Sequence, residues 1–209
     1  MFPAAARAIV FDVVGTLVEP APTVADAYRA AALRHGIDHD VADIGRRFRE
    51  AWRRQEAVDA ATVPAFATSG DRERERWRAI VADVFDAAPQ SDVIFAELWA
   101  HFGRPDAWRP IPAGRDLARA ARDAGLTVAL ASNFDERLFG IATVIEPLSW
   151  AEHVFASSEL GWRKPAVEFF RTVERRLGRS PDELVLVGDD PELDIAAGRR
   201  AGWHVLRIG

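Results

Sequence analysis

Four short stretches of this sequence end in side chains that could share one reaction. Asp12 lies in Phe11-Asp12-Val13-Val14-Gly15-Thr16-Leu17, Ser132-Asn133 follows the run Thr127–Ala131, Lys164 precedes Pro165, and Gly188-Asp189-Asp190 follows Leu184–Val187, with Asp194 shortly after. Taken singly each has a plain structural role: a turn at Asp12, a helix cap at Ser132 or Asp190, a surface charge at Lys164. Gathered around one crevice they would do more. Carboxylates at such range repel one another, and an all-oxygen donor set of that kind suits magnesium. Ser132 and Lys164 beside them would grip an anion, the ammonium acting as a point charge. A magnesium ion facing a bound oxyanion beside a free carboxylate is a phosphoryl-transfer site. Among 27 cationic side chains Lys164 is the single lysine, all others being arginine, so a compact ammonium stands at this one place.

For these groups to meet, each must lie just beyond the carboxyl end of a strand in one parallel sheet. Ala8–Phe11, Thr127–Ala131, Leu184–Val187 and His204–Ile208 are apolar runs of the kind covered on both faces, and His153–Ala156 is a weaker fifth. Helical patterns lie between them. Arg115–Arg122 stops at Gly125, Pro165–Leu177 sets Val167, Phe170, Val173 and Leu177 on one face and stops at Gly178, and Pro191–Ala201 ends at Gly202. The alternation predicts an α/β fold with a doubly wound parallel sheet.

Residues 20–105 break the alternation. Thr23–His35, Val41–Val58, Asp71–Phe85 and Asp92–Phe102 read as helices only, predicting a small bundle inserted into a core made of residues 1–19 and 106–209. Trp52, Trp77 and Trp99 are expected in the bundle's core. The run Asp71–Arg76 alternates in sign and reads as a solvated helix face, and Arg46-Arg47 and Arg53-Arg54 as helix surface.

Composition narrows the function classes. The 209 residues are 49% apolar and 28% charged, enough to bury a core, and the net charge of −5 argues against nucleic acid or an anionic membrane as partner. With no cysteine, disulfides, thiolate chemistry and cysteine-based zinc sites are excluded. Arg7 and Asp12 interrupt the apolar N-terminal run, so neither a membrane span nor a signal peptide is expected, and a cytoplasmic protein is.

The ordered set Asp12-Val13-Val14-Gly15-Thr16, Ser132-Asn133, Lys164-Pro165 and Gly188-Asp189-Asp190 with Asp194 resembles the four motifs of the haloacid-dehalogenase-like hydrolases. The helical insertion resembles that superfamily's alpha-helical cap on a Rossmann-like core. The resemblance implies that Asp12 is a nucleophile forming an aspartyl-phosphate. It implies Mg²⁺ held by Asp12, the Val14 backbone carbonyl and Asp189, with Asp194 close by through water or a supporting hydrogen bond. Ser132, Asn133 and Lys164 would hold the phosphoryl group of a small phosphorylated metabolite, and Thr16 would steady the first loop. The cap would close over the substrate and exclude water.

One position departs from the pattern. Phosphatases of this family usually place a second aspartate where Val14 stands here, to protonate the leaving oxygen and then activate water. General acid–base help is worth roughly 10²–10⁴ in rate, so the best substrates should have leaving groups that need little protonation. His35, His39 and His101 are the titratable candidates in the insertion, but nothing in the sequence places them at the site. Haloacid dehalogenases also lack the second aspartate, since halide leaves unprotonated, yet they lack the acids of the fourth motif too. Phosphonate-cleaving relatives use a cap lysine, and this cap has none. A catalytically weak phospho-ligand binder remains open, whereas a receiver-like phosphoacceptor would have no helical insertion.

Overall fold

The apolar runs pair as one five-stranded parallel sheet in the computed structural model, which describes residues 2–209. In chain order the strands are β1 (Ala8–Phe11), β2 (Val18–Pro20), β3 (Trp108–Pro110), β4 (Thr127–Ser132), β5 (His153–Ala156), β6 (Leu184–Gly188) and β7 (His204–Arg207). All but β2 and β3 join the sheet, in the order β5-β4-β1-β6-β7. Central β1 pairs with β4 and β6 in register, Phe11 lying opposite Leu130 and Val187. Three strands therefore end side by side.

The helices are α1 (Val24–Arg34), α2 (Val41–Ala61), α3 (Gly70–Val84), α4 (Ser91–Phe102), α5 (Pro112–Asp123), α6 (Arg137–Ala142), α7 (Ser157–Leu160), α8 (Val167–Leu177) and α9 (Ala197–Ala201). Ile9, Phe11, Leu130 and Val187 point to one face of the sheet, against Ala118 of α5 and Leu138 of α6. Val10, Ala129 and Leu186 point to the other, against Phe169, Phe170 and Val173 of α8 and Ala197 of α9. Both faces being covered, the strands can be apolar throughout. The apolar residues of α8 that are buried are Phe169, Phe170 and Val173, while Val167 stays exposed at its first turn.

Helices α1 to α4 form a separate bundle around Tyr28, Ile44, Ile80, Phe95 and Leu98. The chain passes between bundle and core through β2 and β3, which pair antiparallel with Glu19 opposite Arg109. Sequence reasoning missed this ribbon because each strand is three residues long and ends in proline, leaving no alternation to read. No helix among the described residues is long and apolar enough to cross a membrane.

Two expectations for the bundle are corrected. Trp52, Trp77 and Trp99 are only half-buried: smaller side chains fill the spaces between helices, and the indoles line a cavity facing the sheet. The run Asp71–Arg76 is not wholly solvated either, because Glu73 and Arg76 are buried. Arg163, in the loop before Lys164, donates from Nη1 to both Glu73 oxygens at 2.6 and 2.7 Å. Arg76 Nε donates to Asp59 Oδ2 at 2.8 Å, and Ser157 Oγ to Glu73 Oε1 at 3.3 Å. Alongside, Thr68 N donates to Gly161 O and Arg163 N to Phe66 O, so a backbone seam joins bundle to core. Charges this deep need their partners; breaking a buried pair typically costs about 3–5 kcal/mol, because the remaining charge is stranded. Arg163→Met is therefore expected to lower the stability to denaturant by about 3–5 kcal/mol. Arg46→Met, on an exposed helix face, should barely move the midpoint, and equal losses in the two variants would refute the distinction.

Candidate active site

Asp12 stands one residue beyond β1. Its backbone N donates to Val187 O at 2.8 Å, so the sheet pattern runs one residue past the strand and sets the carboxylate at the sheet's edge, nearly buried. At Gly15 the loop turns with φ +86°, and a Cβ there would lie 2.5 Å from Asp189 Oδ2. Only glycine allows both the turn and the close approach. Thr16 is fully buried and donates from Oγ1 to Asp189 Oδ1 at 3.1 Å. Behind the loop, the first turn of α5 offers Gly114, where a Cβ would strike the Thr16 carbonyl at 2.1 Å.

The other side chains converge on the same point. Ser132, the last residue of β4, donates from Oγ to Asp12 Oδ1 at 2.9 Å. Lys164 Nζ reaches the same oxygen at 2.7 Å and Asp194 Oδ1 at 2.5 Å. Asp194 is held by the turn it belongs to. Residues Pro191–Ala196, expected as the start of an α-helix, form a wider π turn, with Ile195 N reaching back to Asp190 O. Asp190 Oδ1 caps that turn at the Glu192 and Leu193 amides, and its own amide donates to Asp194 Oδ2 at 3.2 Å. Gly188 leaves room for this carboxylate, since a Cβ there would meet the Asp194 carboxyl carbon at 2.3 Å.

Asn133 is brought to the site, but its side chain is occupied. Its Nδ2 donates to Lys164 O at 3.0 Å and its Oδ1 accepts Lys164 N at 2.7 Å. Both polar atoms are thus spent clamping the lysine's backbone to the end of β4, which leaves the Asn133 main chain as the part of this residue that can meet a ligand.

Carboxylate oxygens of Asp12, Asp189 and Asp194 lie within 4.8 Å of one another. Against one ammonium, two negative charges remain uncompensated. Burial pushes the Asp12 carboxyl up to about 6 even though Lys164 pulls it down, and Asp194 and Asp189 add to the rise. Asp189 is likewise raised, chiefly by burial. Burial alone would depress Lys164, but Asp12 and Asp194 outweigh it and hold the ammonium above its usual range. Such a donor set fits a hard divalent cation. The loop's own hydrogen bonds run from Gly15 N to Val18 O and from Leu17 N and Val18 N to Val13 O, which leaves the Val14 carbonyl out of them.

Above these groups opens a cavity of about 440 Å³. Val14 lines it with an apolar side chain, 37% exposed. None of the three histidines lines it: His35 pairs with Glu97, His39 lies against Phe85, and His101 against Phe102. Sequence reasoning also missed Asp135 and Arg137, which line the cavity as an ion pair at 2.7 Å, with the guanidinium 3.6 Å from the centre of the Trp99 ring. Their position just beyond Ser132-Asn133, at a strand's carboxyl end, was the available signal.

The family model of haloacid dehalogenase-like hydrolases matches residues 6–202. Human haloacid dehalogenase-like hydrolase domain-containing protein 3 is 29% identical over 208 residues, spanning 97% of this chain and 81% of its own length. Ribulose-1,5-bisphosphate 5-phosphatase of Halopiger xanaduensis is 26% identical over 211 residues, spanning 96% and 84%. The crystal structure of the defluorinating L-2-haloacid dehalogenase Rha0230 superposes with a TM-score of 0.74 at 20% identity, covering 96% of this chain and 80% of that one. At that identity the likeness is one of fold.

If the three carboxylates hold a cation, Mg²⁺ should raise the thermal midpoint at pH 7.5, and Asp189→Asn should remove most of the shift. The shift should shrink as pH falls through about 6, because protonated Asp12 is neutral and a poor ligand. A Mg²⁺ shift untouched by Asp189→Asn would put the metal elsewhere.

Proposed function

The chain belongs to the haloacid dehalogenase-like hydrolases, and from that premise we propose that it is a Mg²⁺-dependent phosphatase acting on a small phosphorylated metabolite. The observation that carries this reading is the charge balance at the foot of the cavity: three carboxylates around one ammonium. A substrate anion entering alone meets net negative charge. With a divalent cation held by Asp12, Asp189 and the Val14 carbonyl, Asp194 standing close by, the same place accepts a phosphoryl group. The cation, when bound, neutralises charge on the phosphoryl oxygens as it builds up during transfer.

The chain's own groups do the rest. Ser132 and Lys164 both donate to Asp12 Oδ1, which fixes how the carboxylate faces the cavity. Asp12 attacks phosphorus, the bond from phosphorus to the leaving oxygen breaks, and an aspartyl-phosphate remains. Water then attacks that phosphorus and releases inorganic phosphate with Asp12 restored. The Lys164 ammonium and the Asn133 backbone hold the transferring oxygens, the Ser132 hydroxyl turns its one hydrogen from Asp12 to them when the phosphoryl group arrives, and Thr16 keeps Asp189 in place. Val14 has no proton to give, so the leaving oxygen departs as an anion. Residues 20–105 act as the cap over a core of residues 1–19 and 106–209.

Val14 and the apolar cavity also favour a second reading, a 2-haloacid dehalogenase, because halide leaves without a proton. That reaction would place a substrate carboxylate near three acids and predicts halide release that does not depend on Mg²⁺.

Asp12→Asn should abolish phosphate release from an aryl phosphate. Val14→Asp should speed an alkyl phosphate relative to an aryl one by about 10-fold, a fraction of the roughly 10²–10⁴ that a well-placed acid supplies. Full activity in Asp12→Asn would overturn the mechanism, and an unchanged alkyl-to-aryl ratio would overturn the role given to Val14.

A further inference from the structure

The cavity walls describe the molecule that fits between them. Four of the seven tryptophans, Trp52, Trp77, Trp99 and Trp108, line this one space. Its volume of about 440 Å³ lies in the range of small-molecule sites. Arg76 lies over one face of Trp52 and Arg137 over one face of Trp99, yet aromatic walls at that density favour a flat ring over a flexible polyol, since aromatic pairs gain from stacked and edge-on contact beyond simple burial.

Helix α2 adds a charge requirement. Arg49 and Arg53, one turn apart on either side of Trp52 in sequence, both line the cavity. Neither makes a salt bridge or a side-chain hydrogen bond among the described residues. Their neighbours on the same helix behave differently: Arg46 pairs with Asp43 and Glu50, Arg47 with Asp43 and Asp86, and Arg54 with Asp83. The arginines that turn away from the cavity are neutralised by the protein, and the two that line it are not. Paired guanidinium forks suit a carboxylate or a phosphate.

Val14 supplies a third, independent constraint. A leaving group that must depart without a proton should be a weak base, and a phenol, with a pKa of about 10 as in tyrosine, is far weaker than an alcohol.

Resting on the phosphatase reading above, we propose that the substrate is a phosphate ester of a hydroxylated aromatic ring that carries a second acidic group, a carboxylate or a second phosphate, received by Arg49 and Arg53. The phosphate goes to Asp12 and Lys164, the ring lies between the indoles, and the second anion meets α2.

Two measurements separate this inference from the reading beneath it. The first compares kcat/KM for phenyl phosphate, 4-carboxyphenyl phosphate, 1,4-phenylene bisphosphate and glycerol 1-phosphate with Mg²⁺. An acid-bearing aryl ester is expected to exceed phenyl phosphate by about 10-fold, as charge-assisted contacts allow, and glycerol 1-phosphate to be slowest. Which of the two acidic esters leads identifies the second anion. In Arg49→Met/Arg53→Met the ratio of acidic to plain aryl ester should fall to near one, while Arg46→Met should keep it. The second follows quenching of tryptophan fluorescence by 4-hydroxybenzoate and by phenol, which needs no turnover. Tighter binding of 4-hydroxybenzoate, weakened by about 10-fold in the double variant, supports the arginine pair. If no ester is hydrolysed, the phosphatase reading fails, while the quenching still tests the cavity. If aryl esters are hydrolysed with no preference for the acidic ones, or glycerol 1-phosphate leads, the inference is overturned.

Discussion

The ammonium of Lys164 between Asp12 and Asp194 is the interaction on which the rest of this structure leans. Both carboxylates are almost out of reach of water, and neither could stay charged there beside the other without a cation between them. Geometry upstream serves that contact. The end of β4 clamps the lysine's backbone through Asn133, a π turn reaches back with Asp194, and β1 delivers Asp12. Absent side chains at Gly15, Gly114 and Gly188 let backbone and carboxylates approach where any Cβ would collide. The result is a pocket floor whose charge is unbalanced by design of position, and whose chemistry follows from how that imbalance is relieved.

A second buried charge system does a different task. Glu73, Arg76, Asp59 and Arg163 are all nearly sealed, and they lie between the helical bundle and the sheet. Ion pairs of this kind are no better than neutral as a source of stability when compared with apolar packing. What they add is geometry: a guanidinium whose nitrogens face Glu73, Glu56 and Asp59 at once accepts few arrangements, so the bundle sits over the sheet in one orientation. The aromatic cavity between the two depends on that orientation.

Much of this was legible in the letters, and the reason is local. Apolar runs covered on both faces announce parallel strands, and residues just past their carboxyl ends announce a site, so Asp12, Ser132, Lys164, Asp189 and Asp194 could be grouped before any coordinates. What stayed hidden depends on partners far along the chain. An alternating run such as Asp71–Arg76 has the pattern of a solvated face, and it is Arg163, 90 residues on, that partners Glu73 inside the protein. Trp52, Trp77 and Trp99 carry the spacing of a helix interior, but whether an indole faces its own bundle or the sheet opposite is decided by how the two bodies meet. Asn133 stands beside the lysine's loop only in three dimensions, so the clamp its side chain makes on Lys164 could not be read from the letters.

Arg163 and Lys164 are consecutive residues, one locked to the bundle and the next to Asp12. Within two residues the chain therefore ties the helical insertion to the floor of the pocket. Asp59 holds the α2 end of that tie, and Arg49 lies ten residues up the same helix, about 15 Å away at 1.5 Å per residue. The wall at Arg49 is thus set by the length of one helix measured from that tie, so the contact that steadies the ammonium also fixes how deep the cavity is.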